Sequence, residues 1–250
     1  MNLEKEHITR NLYRFYTRIA ELNGFDLGKI ADCEFVWNRK GRWPSYFLGV
    51  SGTARIPELV QAIENKKAPS FCIVESVRKR EVELLEDSGI RRIREWKGMY
   101  LDSRHYTSNS VKKDIRHIQL RMDDRSVLDD WLGLVNEELM SGVQIEKAVI
   151  KNLFVSDVFQ FVVAYSEGQP AGSGLSFREH GICGLYMIAT RGPLRGRGIG
   201  SMVTASLIEH AIDRGDKGIV LQATDLGAGL YSRMGFREMN RISVMWYLGK

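Results

Sequence analysis

Cysteine is scarce in this chain. Its 250 residues hold three, Cys33, Cys72 and Cys183. They are too few and too widely spaced for a disulfide framework or a metal-ligand cluster. No bound metal is expected, and a reducing, cytoplasmic location is the default. Long apolar runs are missing as well. No stretch approaches the roughly 18 apolar residues of a membrane span. Met1 to Glu6 lack the charged-then-apolar pattern of a secretory leader, so no membrane partner is expected. Nor does one sign of charge dominate: 36 Lys+Arg against 31 Asp+Glu leave a net charge of +5. The basic clusters Arg39-Lys40-x-Arg42, Arg78-Lys79-Arg80 and Arg91-Arg92-x-Arg94 are short and read as solvated faces. A nucleic-acid partner would want a longer stripe with aromatic platforms, and none is expected.

What the chain does have is a glycine-rich turn with two arginines, Arg195-Gly196-Arg197-Gly198-Ile199-Gly200. An apolar strand, Gly184 to Ala189, precedes it, and an amphipathic helix, Ser201 to Asp213, follows. Such a turn holds phosphate well. Its glycines let the main chain approach an anion, and the first N–H groups of the helix point at it. A P-loop would need Lys-Ser or Lys-Thr after the last glycine, and here Ser201-Met202 follows. A dinucleotide fingerprint needs Gly-x-Gly-x-x-Gly, and Gly196-x-Gly198-x-Gly200 has the wrong spacing.

The pattern Arg195-x-x-Gly198-x-Gly200 resembles the pyrophosphate loop of the GNAT superfamily of acyl-CoA-dependent N-acetyltransferases. A second motif, Leu230-Tyr231-x-x-x-Gly235-Phe236, closes a short helix after the strand Lys217 to Ala223, as in that family. The resemblance covers about residues 115 to 248. It implies an α+β fold with a mixed, mostly antiparallel sheet flanked by helices. It also implies acetyl-CoA as cosubstrate, held in a splay between Leu185 to Ala189 and Ile219 to Ala223. Carried over residue by residue, Ile188, Ala189 and Thr190 would meet the pantetheine arm. Arg195, Gly196, Arg197, Gly198, Ile199, Gly200 and Ser201 would hold the pyrophosphate. Tyr231 matches the family's general acid, though a tyrosine packed under the last strand fits the position too.

Residues 7–22 form an amphipathic pattern of Ile8, Leu12, Phe15, Ile19 and Leu22. Phe35 to Trp37, Tyr46 to Val50, Phe71 to Val74 and Lys97 to Leu101 read as strands. Pro57 to about Asn65 and Arg80 to Asp87 read as helices. Leu85-Glu-Asp-Ser-Gly89-Ile-Arg91 echoes Tyr231-Ser-Arg-Met-Gly235-Phe-Arg237. Met99-Tyr100-Leu101 echoes Trp246-Tyr247-Leu248 at nearly the same offset. Residues 1–110 are therefore expected to be a smaller, degenerate GNAT-like α/β half without the phosphate loop, and residues 111–250 the catalytic domain. Asp102 to Lys113 reads as the linker. Then come a strand Ile115 to Met122, helices Asp123 to Glu138 and Gln144 to Phe154, and an antiparallel pair, Phe159 to Tyr165 and Ala171 to Phe177.

Members of the family often carry a carboxylate base on the strand before the loop; here that strand offers Gly184, Leu185 and Tyr186. Glu179, His180 and Asp225 are acidic or basic residues in nearby turns, and each reads first as an exposed turn residue. Cys183 reads as a small apolar filler. Trp37, Trp43 and Tyr46 are candidates for an aromatic wall or for sheet core. The expected function is acetyl transfer from acetyl-CoA to a primary amine of a small molecule or peptide, by direct attack in a ternary complex. The alternative is a catalytically silent CoA-binding sensor or structural domain. The acceptor and the oligomeric state stay open.

Overall fold

A computed structural model describes residues 3–40, 43–50, 55–75, 79–107, 118–122, 127–140 and 142–249. Most of the linker, the start of the strand at Ile115 and the start of the helix at Asp123 lie outside these residues. The chain opens with helix α1 (Leu3–Asn23). Strands β1 (Asp26–Ile30), β2 (Cys33–Trp37) and β3 (Ser45–Leu48) follow, then helix α2 (Ile56–Glu64), β4 (Phe71–Glu75), α3 (Lys79–Asp87) and β5 (Ile90–Asp102). The second half comprises β6 (Ile118–Met122), α4 (Val127–Glu138), α5 (Lys147–Phe154), β7 (Phe159–Ser166), β8 (Gln169–Glu179) and β9 (Ile182–Thr190). It ends with α6 (Ile199–Asp213), β10 (Gly218–Ala223), α7 (Asp225–Arg233) and β11 (Arg237–Tyr247).

All the strands join one sheet, in the order β1-β2-β3-β4-β11-β5-β10-β9-β8-β7-β6. The order is nearly a mirror image about its middle. Each half is antiparallel apart from one parallel pair, β3–β4 in the first and β9–β10 in the second. The sequence echo is visible at the centre. Helices α3 and α7 both end at a glycine of positive φ, Gly89 at 84° and Gly235 at 95°, a backbone state that glycine adopts without steric cost. The strands that follow, β5 and β11, pair antiparallel with each other. Each then pairs on its other side with a strand of the opposite half: β5 with β10, and β11 with β4.

Helix α1 covers that junction. Its apolar spacing buries Ile8, Leu12, Phe15 and Ile19. They share one core with Val36, Leu48 and Ile73 of the first half and with Phe159, Phe177, Tyr186 and Val220 of the second. Alternation along the strands sends the neighbouring side chains to the other face. There Cys72 and Val74 pack under α2 and α3, and Ile219 and Leu221 under α6 and α7. Gly172 and Gly174 on β8 let α6 lie close. A Cβ on either would come within 2.6 Å of Ile199 or Val203 respectively.

Candidate functional site

The site begins where two parallel strands part. β9 and β10 pair from Ile182–Gly218 to Leu185–Leu221 and no further. Tyr186 to Thr190 and Gln222 to Ala223 thus diverge, leaving main-chain groups on their facing edges unpaired with one another. A bulge drives the divergence. The β8–β9 register jumps between Ser173–Ala189 and Leu175–Tyr186, so Met187 and Ile188 face Gly174 alone. Met187 takes a φ of 51° there. An extra residue of this kind bends a strand away from its neighbour. The bulge is held on both sides: Trp131 Nε1 donates to the Gly174 carbonyl at 2.8 Å, and Ser173 Oγ donates to the Met187 carbonyl at 3.2 Å.

Tyr186 anchors the strand just before the bulge. Its ring stacks on Phe15 of α1 at 3.8 Å between centroids. Its hydroxyl donates to Asn11 Oδ1 at 2.6 Å. Burial raises its phenol well above the ordinary range, so it stays protonated as a structural donor. Gly184 makes room for this arrangement, since a Cβ there would sit 2.0 Å from Asn11 Oδ1.

The glycine-rich turn lies at the open end of the split. Gly196 and Gly198 both have positive φ, 78° and 82°, and Gly198 caps α6. Successive left-handed glycines before a helix turn several N–H groups toward one concavity. Arg195 does not reach into solvent alone. Its Nη2 lies 2.6 Å from Glu138 Oε2, and its Nε donates to the Thr190 carbonyl at 3.2 Å. Glu138 also accepts from the Gly192 N–H at 2.9 Å. Arg197 is exposed.

One cavity of about 780 Å³ runs along the split. Ile188, Ala189, Thr190, Arg195, Gly196, Gly198, Ile199, Gly200 and Ser201 all line it; Arg197 does not. Tyr231 lines it from α7, which Thr224 caps by accepting from the Gly227 N–H at 3.3 Å. The Tyr231 ring packs edge-on against Phe236, and burial pushes its phenol up to about 12.

The other sequence candidates lie elsewhere. Glu179 binds Arg14 at 3.0 Å, Asp225 binds Lys97 at 2.9 Å, and His180 is exposed in its turn. None of them lines the cavity. Cys183 is fully buried, and burial pushes its thiol up to about 12, so it is a core residue. Of the three aromatic candidates, Trp43 and Tyr46 line the cavity together with Phe15, Tyr16 and Phe71. Trp37 lines a separate cavity of about 500 Å³ beside Arg39. Sequence reading missed Arg94 and Trp96 of β5 and Glu138 of α4 as cavity residues. Arg94 is exposed, as a solvated basic face requires, and the central position of β5 also brings it to the cavity.

The counterpart in the first half is closed. β3 and β4 pair at Phe47–Cys72 and Leu48–Ile73, and Val50 N–H continues the pairing to the Ile73 carbonyl at 3.2 Å. Among the described residues no cluster suited to a metal occurs, and no helix is long and apolar enough to cross a membrane.

An open mixed sheet, split between two parallel strands with a glycine-capped helix at the split, is the architecture of the acyl-CoA-dependent acetyltransferases. Residues 135–245 match the family model described as an acetyltransferase (GNAT) domain. Solved structures agree on the fold. A GCN5-related N-acetyltransferase from Kribbella flavida superposes with a TM-score of 0.68 at 10% identity, over 96% of each chain. One from Sphaerobacter thermophilus gives 0.61 at 17% identity, over 96% of this chain and 90% of its own. A tandem GNAT protein from the clavulanic acid biosynthesis pathway gives 0.60 at 12% identity, over 85% and 77%. Its likeness matches the two-half sheet found here. A search of the curated proteins found no match.

Proposed function

We propose that the protein transfers an acetyl group from acetyl-CoA to a primary amine by direct attack within a ternary complex. The observation that carries this reading is the continuity of the β9–β10 split, the α6 N-terminus and Tyr231 along one cavity. The pantetheine amides would pair with the main-chain edges of the split, which otherwise lack partners. The pyrophosphate would lie against the N–H groups from Gly196 to Ser201 and the positive end of α6. Arg195, tied to Glu138, fixes the loop; Arg197 adds charge from outside.

In the reaction the amine nitrogen attacks the thioester carbonyl carbon. The N–C bond forms, the C–S bond breaks, and coenzyme A leaves as a thiolate that takes up the proton shed by the attacking nitrogen. Tyr231 is neutral throughout the working range and donates a hydrogen bond to that sulfur. Glu138 is the one carboxylate on the cavity wall among the described residues, and Arg195 neutralises it. The acceptor therefore enters as the free amine, having lost its proton to water.

The same lack of a free carboxylate favours a second reading, a CoA-binding sensor without turnover. Titration calorimetry with acetyl-CoA, followed by thiol release against a panel of amines, separates the two. Binding with amine-dependent release supports transfer. Binding without release supports the sensor, and no binding removes both.

A further inference from the structure

The cavity has a second wall that the acetyl-CoA reading leaves unused. Phe15 and Tyr16 of α1, Trp43, Tyr46 of β3 and Phe71 of β4 all line it. The rings form a continuous surface. Tyr16 and Tyr46 lie 4.8 Å apart between centroids, Tyr16 and Trp43 6.3 Å, and Tyr46 and Phe71 6.0 Å. Beside them is Arg94. It sits on the stretch of β5 that β10 does not cover, since the β10 pairing stops at Lys97. It lies opposite Val244 of β11, which also lines the cavity. Burial raises the phenols of Tyr16 and Tyr46, and the Arg94 charge opposes the rise in both.

The charge balance of the wall gives the direction of selection. Among the described residues, the charged ones on it are Glu138, Arg94, Arg195 and Arg233. Glu138 and Arg195 cancel. Arg94 has no carboxylate partner among the described residues. Among the described residues of this wall, a polycationic acceptor would meet uncompensated positive charge and no carboxylate other than the paired Glu138. An acceptor with one carboxylate would find a planar fork of donors that fits it.

We propose that the acceptor is an amine carrying a carboxylate on an apolar body, the body against the Tyr16–Trp43–Tyr46–Phe71 wall and the carboxylate on Arg94. This rests on the acetyl-transfer reading above and names the substrate class of that same site.

The test compares amines that differ only in the carboxylate: phenylalanine with phenethylamine, and leucine with isoamylamine, at saturating acetyl-CoA. The wild type is expected to prefer the carboxylate-bearing member of each pair by at least about tenfold in kcat/KM, the scale of one charge-assisted contact. Arg94→Gln should abolish that preference, the loss in kcat/KM falling on the carboxylate-bearing member of each pair. Arg94→Lys should restore part of it. A binding readout runs alongside: N-acetylphenylalanine should bind the coenzyme A complex more tightly than N-acetylphenethylamine, and Arg94→Gln should equalise them. If the wild type turns over plain or cationic amines as well as the acids, acetyl transfer stands and this assignment falls. It falls too if Arg94→Gln keeps the preference. If acetyl-CoA does not bind, the functional reading fails first and takes this one with it.

Discussion

Glu138, at the last turn of α4, holds Arg195 of the glycine-rich turn, with Nη2 2.6 Å from Oε2. The glutamate side chain is only 9% exposed, and its other oxygen takes the Gly192 N–H. One carboxylate thereby braces both ends of the loop. If Arg195 acts as a brace, Glu138→Gln and Arg195→Gln should each weaken acetyl-CoA by about tenfold. The double variant should be no weaker than either single one, because both remove the same contact. Calorimetry reads all three. A far larger loss for Arg195→Gln than for Glu138→Gln would instead make Arg195 a direct phosphate contact.

Tyr231 is held neutral by burial, its phenol pushed up to about 12. Tyr231→Phe should lower kcat by about 10²-fold with the acetyl-CoA affinity kept. The sign of the pH effect follows from the shift. A raised phenol stays protonated through pH 10, so its own titration should cause no fall in kcat below that pH. The rate should rise with pH only as the acceptor amine loses its proton. A limb of falling rate between pH 8 and 10 that vanishes in Tyr231→Phe would contradict the assignment.

Cys183 lies under α6 with its thiol raised by burial. A protonated, inaccessible thiol is a poor nucleophile. Cys183→Ala should keep amine-dependent thiol release within about threefold of wild type, the change being one small core atom. Native protein should also leave all three cysteines, each buried, unreactive toward a thiol reagent until denaturant is added. An acetylated Cys183 found by mass spectrometry after mixing with acetyl-CoA would overturn this.

The exchange of β5 and β11 ties the halves into one cooperative unit. Urea unfolding followed by tryptophan fluorescence and by far-UV circular dichroism should give coincident midpoints. A chain of residues 111–250 alone lacks the β5 partner of both β10 and β11 and should show no cooperative transition. Two separated transitions in the full chain would mean that the halves are stable independently.

Much of this was readable in advance, and the failures have physical causes. The alternating or periodic elements were placed correctly, including the long α1 core stripe and the strand–loop–helix around Gly198. β5 was read as only Lys97 to Leu101, because residues 91–94 are all exposed, three of them arginines, and show no strand alternation. Pairing with β11 makes them a strand regardless. β1 was missed because it is an edge strand without a single fully buried residue. Arg94 is exposed as expected, but a charge cluster in a sequence does not say which member also borders a cavity.

By itself, the sequence determined the loop, the helix behind it, the tyrosine across from it and the repeat between the halves, since each depends on residue types at short spacing. Only the tertiary structure decided that the halves exchange their last strands and that α1 seals the junction. It also brought the rings of the first half and Arg94 of β5 to the cavity of the second. Those are pairings between segments more than a hundred residues apart, and their choice rests on burying shared apolar faces and completing backbone hydrogen bonds, which no local pattern records.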